Sequence, residues 1–221
     1  MIEGQFIVLE GVDGAGTTTH TKLLSKYFER RGLPVHATRE PSDGPIGVML
    51  RQVLTGRLVV PGISGPRPPS WTTMALLFAA DRVDHVEAEI VPNLMDGVTV
   101  LSDRYDYSSV AYQSLSAGGG RASLDWVRQI NSHARRPDLV IVLDVPADVA
   151  DKRRAGRSGR RELYEDPELQ SRLVDFYGHI EQHFPEDRVV HVNAARDLEV
   201  VAADIVRAVE TLRGEEPARQ S

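Results

Sequence analysis

Gly11-Val12-Asp13-Gly14-Ala15-Gly16-Thr17-Thr18 joins an apolar run, residues 5–10, to a helical pattern, residues 18–31. A strand running straight into a Gly-rich turn and then a helix is what a phosphate-binding loop requires. The glycines permit positive φ and close approach of an anion. The loop amides and the helix N-terminus then point at that anion. The spacing matches G-x-x-x-x-G-K-[ST] at every position but one, since Thr17 stands where lysine is expected. Thr18 keeps the hydroxyl that such loops turn towards magnesium. It also reads as a plain helix-capping threonine, and the whole run as an ordinary Gly-rich turn. The glycine order differs from G-x-G-x-x-G, which excludes a dinucleotide-dependent hydride-transfer enzyme.

Outward from this loop, short apolar runs alternate with helical patterns. Strands are expected over residues 5–10, 35–38, 98–102, 139–144 and 189–192. Helices are expected over 18–31, 46–54, 72–89, 108–115, 124–130, 147–154, 167–184 and 197–213. Residues 60–70 hold four prolines and two glycines and read as a loop. Residues 116–122 contain Gly118, Gly119 and Gly120 and read as mobile. This alternation predicts an α/β fold: a doubly wound, five-stranded parallel sheet with helices on both faces. Such sheets bind ligands beyond the C-terminal strand ends. Residues 1–213 read as a single domain and 214–221 as a frayed tail.

Composition narrows the class. The chain has 221 residues and a formal net charge of −6, which argues against a nucleic-acid-coating surface. Hydrophobic residues make up 41% and charged residues 26%, which excludes a disordered or fibrous chain. With no cysteine there is no disulfide, thiolate zinc site or cysteine nucleophile. The N-terminus lacks the pattern of a signal peptide, and no apolar stretch is long enough to span a membrane, so the expected location is cytoplasmic.

Three further clusters carry chemistry. Asp103 and Arg104, in Ser102-Asp103-Arg104-Tyr105, follow the third strand. Asp103 is placed like the acidic residue that holds magnesium in phosphate-loop enzymes, and Arg104 could grip a phosphate. Phe78 and Arg82 are i,i+4 on one helix, a pairing that suits a nucleobase and equally a core ring beside a solvated arginine. Lys152-Arg153-Arg154-Ala155-Gly156-Arg157-Ser158-Gly159-Arg160-Arg161 packs six cations into ten residues and reads as a basic lid, about residues 154–162. His179 and His183, i,i+4 on the expected helix, lack H-E-x-x-H spacing and a third ligand and are set aside as a metal site.

Together these residues resemble the thymidylate kinases among the P-loop nucleoside monophosphate kinases. The likeness runs through Glu10-Gly11-Val12-Asp13-Gly14-Ala15-Gly16, Thr38-Arg39-Glu40-Pro41, Pro45-Ile46-Gly47 with Arg51, Leu77-Phe78-Ala79-Ala80-Asp81-Arg82, Ser102-Asp103-Arg104-Tyr105 with Ser108 to Gln113, and Pro137 to Asp144. The resemblance implies transfer of the ATP γ-phosphoryl group to dTMP with Mg2+, and a homodimer. It implies that residues 11–19 (Thr19 included), Arg153, Ala194 and Arg196 face ATP, and that Thr18 and Asp103 hold the metal. It implies that Asp13, Arg51, Phe78, Arg82, Arg104, Ser109, Tyr112 and Gln113 face dTMP. Phe78 would stack on thymine, Arg82 would bond its edge, and Tyr112 would lie under the deoxyribose. Asp13 and Arg104 would act at the transferring phosphate. With Ala15 in the loop, the chain resembles members that place basic residues in the lid, here Arg157, Arg160 and Arg161.

Thr17 removes the cation that normally follows the β- and γ-phosphates. Two expectations compete: lid arginines or another nearby cation supply the charge and the enzyme is active, or the chain binds nucleotide with weakened or no turnover. A kinase for another deoxynucleoside monophosphate is the remaining alternative.

Overall fold

The computed structural model describes residues 3–156, 163–164 and 166–214. Strand β1 (Phe6–Glu10) is buried at every position, as is β3 (Thr99–Asp103). Successive strand side chains point to opposite faces, so unbroken burial means both faces of the sheet are covered. With β2 (Val35–Arg39), β4 (Leu139–Asp144) and β5 (Val189–Asn193) they form one parallel sheet in the order β2-β3-β1-β4-β5. The chain lays β2 and β3 on one side of β1, then crosses to the other side for β4 and β5. The C-terminal end of β1 is therefore the topological switch point, where ligands bind such sheets. The Gly-rich loop sits there.

Helix α1 (Thr17–Arg30) follows that loop, capped by Gly16 at φ 102°. It packs on the sheet and on α9 (Leu198–Arg213). Helix α2 (Pro45–Leu54) packs on α3 (Trp71–His85), whose first turn is capped by Ser70 accepting from the Thr73 N–H. Helix α3 does not stop at residue 89. It runs through a π-helical turn, Val86–Ile90, into α4 (Val91–Met95). Pro92, which has no N–H to donate, follows just after that π turn within the continuous helix. Helices α5 (Asp106–Ser116) and α6 (Arg121–Ile130) follow β3. Helix α7 (Ala147–Ala155) follows β4.

Helix α8 (Pro167–Tyr177) starts on Asp166, whose carboxylate accepts from the Glu168 and Leu169 N–H groups, and packs on β4 and α5. It ends seven residues earlier than its periodicity suggested. Gly178 terminates it, and Ile180–Gln182 form a short 3-10 turn. His179 and His183 thus do not share a helix. The His183 ring stacks on Phe176 instead. The basic lid expected around 154–162 lies mostly outside the described residues, with Arg157, Arg160 and Arg161, as does the tail after Gly214.

Candidate active site

Two features meet at the C-terminal end of β1. One is the loop 11–16. The other is a cavity of about 140 Å³ lined by Asp13, Pro41, Phe78, Arg82, Arg104, Tyr112 and Gln113, among others. Asp13, a loop residue, is also a wall of the cavity.

Arg104 is built into that junction. Its φ of 75° is the one positive value at a non-glycine residue among those described. Its N–H donates to the Leu9 carbonyl at 2.9 Å. This turn aims the guanidinium back across β1. Nη2 meets Asp13 Oδ1 at 2.6 Å, while Nη1 reaches the Gly11 carbonyl at 3.0 Å and Ser108 Oγ at 2.9 Å. The guanidinium also lies 5.5 Å from the Tyr112 ring centroid. Burial opposes its charge, but Tyr112, Asp13, Tyr177 and Glu10 together hold its pKa well above the usual value. Burial likewise pushes the Tyr112 hydroxyl up.

Glu10, the last residue of β1, anchors the same corner. It is fully buried. Its carboxyl accepts from the Tyr105 N–H at 2.7 Å, the Ser108 N–H at 3.2 Å, Ser108 Oγ at 2.8 Å and the Tyr177 hydroxyl at 3.0 Å. Burial raises its pKa to about 7, against Arg104 and these hydrogen bonds, which lower it.

Across the cavity, Phe78, Asp81, Arg82 and His85 recur at i, i+3, i+4 and i+7 on α3 and so share a face. Asp81 accepts from Ser42 through both carboxylate oxygens, at 2.8 and 2.6 Å, and thereby holds the segment 40–42. Arg82 is 1% exposed and heavily engaged. It donates to Glu40 at 2.5 Å, to Ser109 Oγ at 3.0 Å and to Asn131 Oδ1. Its Nε–H is buried with no partner among the described residues. His85 closes the cluster, 3.2 Å from Glu40. Gln113 Nε2 donates to the Tyr164 hydroxyl at 3.3 Å, and its Oε1 is buried without a partner. Arg51 stands outside the cavity wall and donates to the Pro41 and Ser42 carbonyls at 2.7 and 2.6 Å.

On the loop side, Thr18 Oγ1 donates to Asp103 Oδ2, and Asp103 Oδ1 is buried without a partner. Thr17 is 6% exposed. Arg153 bridges the Ala15 carbonyl, at 3.4 Å, and the Ala194 carbonyl, at 2.9 Å. Arg196 is turned away, paired with Asp204 and with the Asn193 carbonyl.

The structure thus joins Asp13 with Arg104, Thr18 with Asp103, and Arg82 with Ser109. Glu40 and Tyr164 also line the cavity, Glu10 and Asn131 brace it through Ser108 and Arg82, and none of the four was named as a site residue. A carboxylate ending an apolar strand was a usable sign for Glu10. Nothing in the local sequence marks Tyr164 or Asn131.

Residues 9–205 match the family model described as thymidylate kinase. The chain is 42% identical over 212 residues to a probable thymidylate kinase of Thermococcus kodakarensis, covering 96% of this chain and all of that protein. It is 41% identical to a probable thymidylate kinase of Pyrococcus horikoshii, over 94% of this chain and 97% of the relative. It is 37% identical to a thymidylate kinase of Pelotomaculum thermopropionicum, over 95% of this chain and 94% of the relative. The chain belongs to the thymidylate kinase family. Its five-stranded parallel sheet with the Gly-rich loop at the switch point is the α/β architecture expected of that family.

Proposed function

We propose that the chain transfers the γ-phosphoryl group of ATP to dTMP, giving dTDP and ADP. The observation that carries this is the Asp13–Arg104 pair at 2.6 Å, shared by the loop and the cavity. It supports reading the loop as the phosphate site and the cavity as the acceptor site, on either side of one carboxylate and one cation. An acceptor phosphate oxygen attacking the γ-phosphorus, with ADP leaving, needs this adjacency.

In this reading Arg104 binds the acceptor phosphate and Asp13 sets its orientation. Phe78 stacks on thymine. Gln113 Oε1 and the Arg82 Nε–H, both without partners among the described residues, face the base edge, and Ser109 steadies Arg82. Tyr112 lies under the sugar. Arg51 acts indirectly, through the 41–42 segment. Residues 11–19 take the ATP phosphates, and Arg153, Ala194 and Arg196 the adenine side, Arg196 through its backbone and stem. Arg157 and Arg160, beyond the described residues, remain candidates for closing over the phosphates.

Thr18 and Asp103 fit magnesium: both are hard oxygen donors, and one carboxylate plus substrate phosphates is how that ion is commonly bound. Among the described residues no three His, Asp or Glu cluster as a complete metal cage. Bound there, the ion would supply charge neutralisation at the β- and γ-phosphates.

Val48 and Met49 of α2 and Leu76 and Val83 of α3 are exposed apolar side chains on two helices that pack together. They support the homodimer reading. Residues 1–213 are read as one kinase domain, working in the cytoplasm. Among the described residues no helix is long and apolar enough to cross a membrane.

A coupled ADP-release assay with ATP and Mg2+ tests the reaction, using dTMP, dUMP, dCMP and dGMP as acceptors. Turnover on dTMP well above the others supports it. Binding of dTMP without turnover on any acceptor would establish the inactive reading that Thr17 raises.

A further inference from the structure

The phosphate loop carries no cation of its own, yet three arginines hold it from outside. The carbonyls of alternate residues each accept from a guanidinium: Gly11 from Arg104 at 3.0 Å, Asp13 from Arg154 at 2.7 Å and Ala15 from Arg153 at 3.4 Å. In a trans peptide the C=O and the following N–H point in opposite directions. An arginine on the carbonyl of residue 11, 13 or 15 therefore leaves the N–H of Val12, Gly14 or Gly16 aimed the other way. Among the described residues those three N–H groups donate to no protein acceptor. A cation on the oxygen also polarises the peptide and makes its N–H a stronger donor.

Arg154 is the member of this set that the reading above leaves without a role. Its side chain is only 12% exposed. Its Nη1 also donates to Gln170 Oε1 at 2.9 Å. Gln170 is 2% exposed, and its other end donates to the Tyr164 carbonyl at 2.8 Å, so its amide is fixed at both ends. Asp151 pairs with the outer side of the guanidinium. Gly14 makes the approach possible. A Cβ there would stand 2.5 Å from the Ala150 carbonyl oxygen, so the backbone of α7 lies directly against the loop.

We propose that Arg154 is a positioning residue of the donor site. Held by Gln170, it fixes and polarises the Asp13–Gly14 peptide and supplies, from behind the loop, positive charge that Thr17 does not supply within it. This rests on the reading of the loop as the ATP phosphate site.

The test uses the full chain, with ATP and dTMP titrated separately and a non-hydrolysable ATP analogue bound in a calorimeter. Arg154→Ala is expected to lower kcat/KM for ATP by roughly 100-fold and leave KM for dTMP within about threefold. Arg154→Lys keeps the charge but lacks the planar fork that holds Asp13, Gln170 and Asp151 in one fixed geometry, and should lose about tenfold. Thr17→Lys should then raise turnover of Arg154→Ala, or of Arg154→Lys if the alanine variant does not fold, by far more than it changes that of wild type. A merely structural role would not respond to a lysine inside the loop. Equal gains in both backgrounds, or ATP and dTMP constants worsening together, would overturn the proposal. If wild type turns over no acceptor, the kinase reading fails separately. Weaker analogue binding in Arg154→Ala would still support Arg154, and unchanged binding would reject it.

Discussion

Around the cavity, side chains from distant segments bind one another: Arg82 of α3 holds Glu40, Ser109 and Asn131 at once. Around the loop, Arg104, Arg153 and Arg154 attach to main-chain carbonyls, and among the described residues the N–H groups of Val12, Gly14 and Gly16 have no protein acceptor. A base edge presents a particular set of donors and acceptors, so it needs side chains set in advance. Phosphate presents only charge and oxygen, so oriented amides suffice.

Arg104, which touches both regions, should show the largest effect. Arg104→Ala is expected to lower kcat by about 10³-fold or more in the ADP-release assay, since arginines at transferring phosphates contribute on that order. A loss of tenfold or less would detach Arg104 from the chemistry and break the shared junction.

The loop's dependence on backbone shape is sharpened by two glycines. Gly14 is at φ 93° with its missing Cβ against Ala150 O, so Gly14→Ala should cost about 3 kcal/mol or more in urea unfolding. Gly16, at φ 102°, would meet nothing closer than 3.4 Å, so Gly16→Ala should cost about 1 kcal/mol. Equal costs would mean that α7 does not press on the loop.

Glu10 gives a pH signature on the cavity side. Its folded pKa of about 7 lies above the ordinary 4.5, so between these values the unfolded chain sheds the proton first. Its contribution to stability is therefore highest below about pH 4.5, falls as pH rises towards 7 and is flat beyond. The whole fall is on the order of 3 kcal/mol. Thermal melts of Glu10→Gln against wild type should show the variant gaining relative stability across that window. A constant difference would place the Glu10 proton elsewhere.

The smallest effect concerns the base. Phe78→Ala should raise KM for dTMP about tenfold, in the range of one lost aromatic stack, with KM for ATP unchanged. Equal rises in both constants would dissolve the separation of the two regions.

What sequence could reveal follows the same division. Asp13, Thr18, Asp103 and Arg104 lie within or beside strand-end motifs, and the local chain path largely determines where they point. The central strands β1, β3 and β4 were legible because burial on both faces leaves a nearly unbroken apolar run. Glu40, Asn131 and Tyr164 act through partners 42, 49 and 51 residues away, and only the packed fold brings them together. The helix expected over 167–184 failed for a local reason, since apolar spacing continued past Gly178 although the backbone did not. Arg154 was visible as charge, but its Asp13 contact depends on Gly14 letting α7 close in.

The π turn at Val86–Ile90 has a bearing on insertions and deletions. One extra residue in a helical turn offsets the angular phase of everything after it by roughly 100°. Upstream, that phase points Phe78 and Arg82 at the cavity and Asp81 and His85 at the segment 40–42. Downstream, it points Ile90 and Leu94 into the core. Deleting one residue between 86 and 90 would give a more regular helix and a worse protein, because only one of the two halves could keep its bearing.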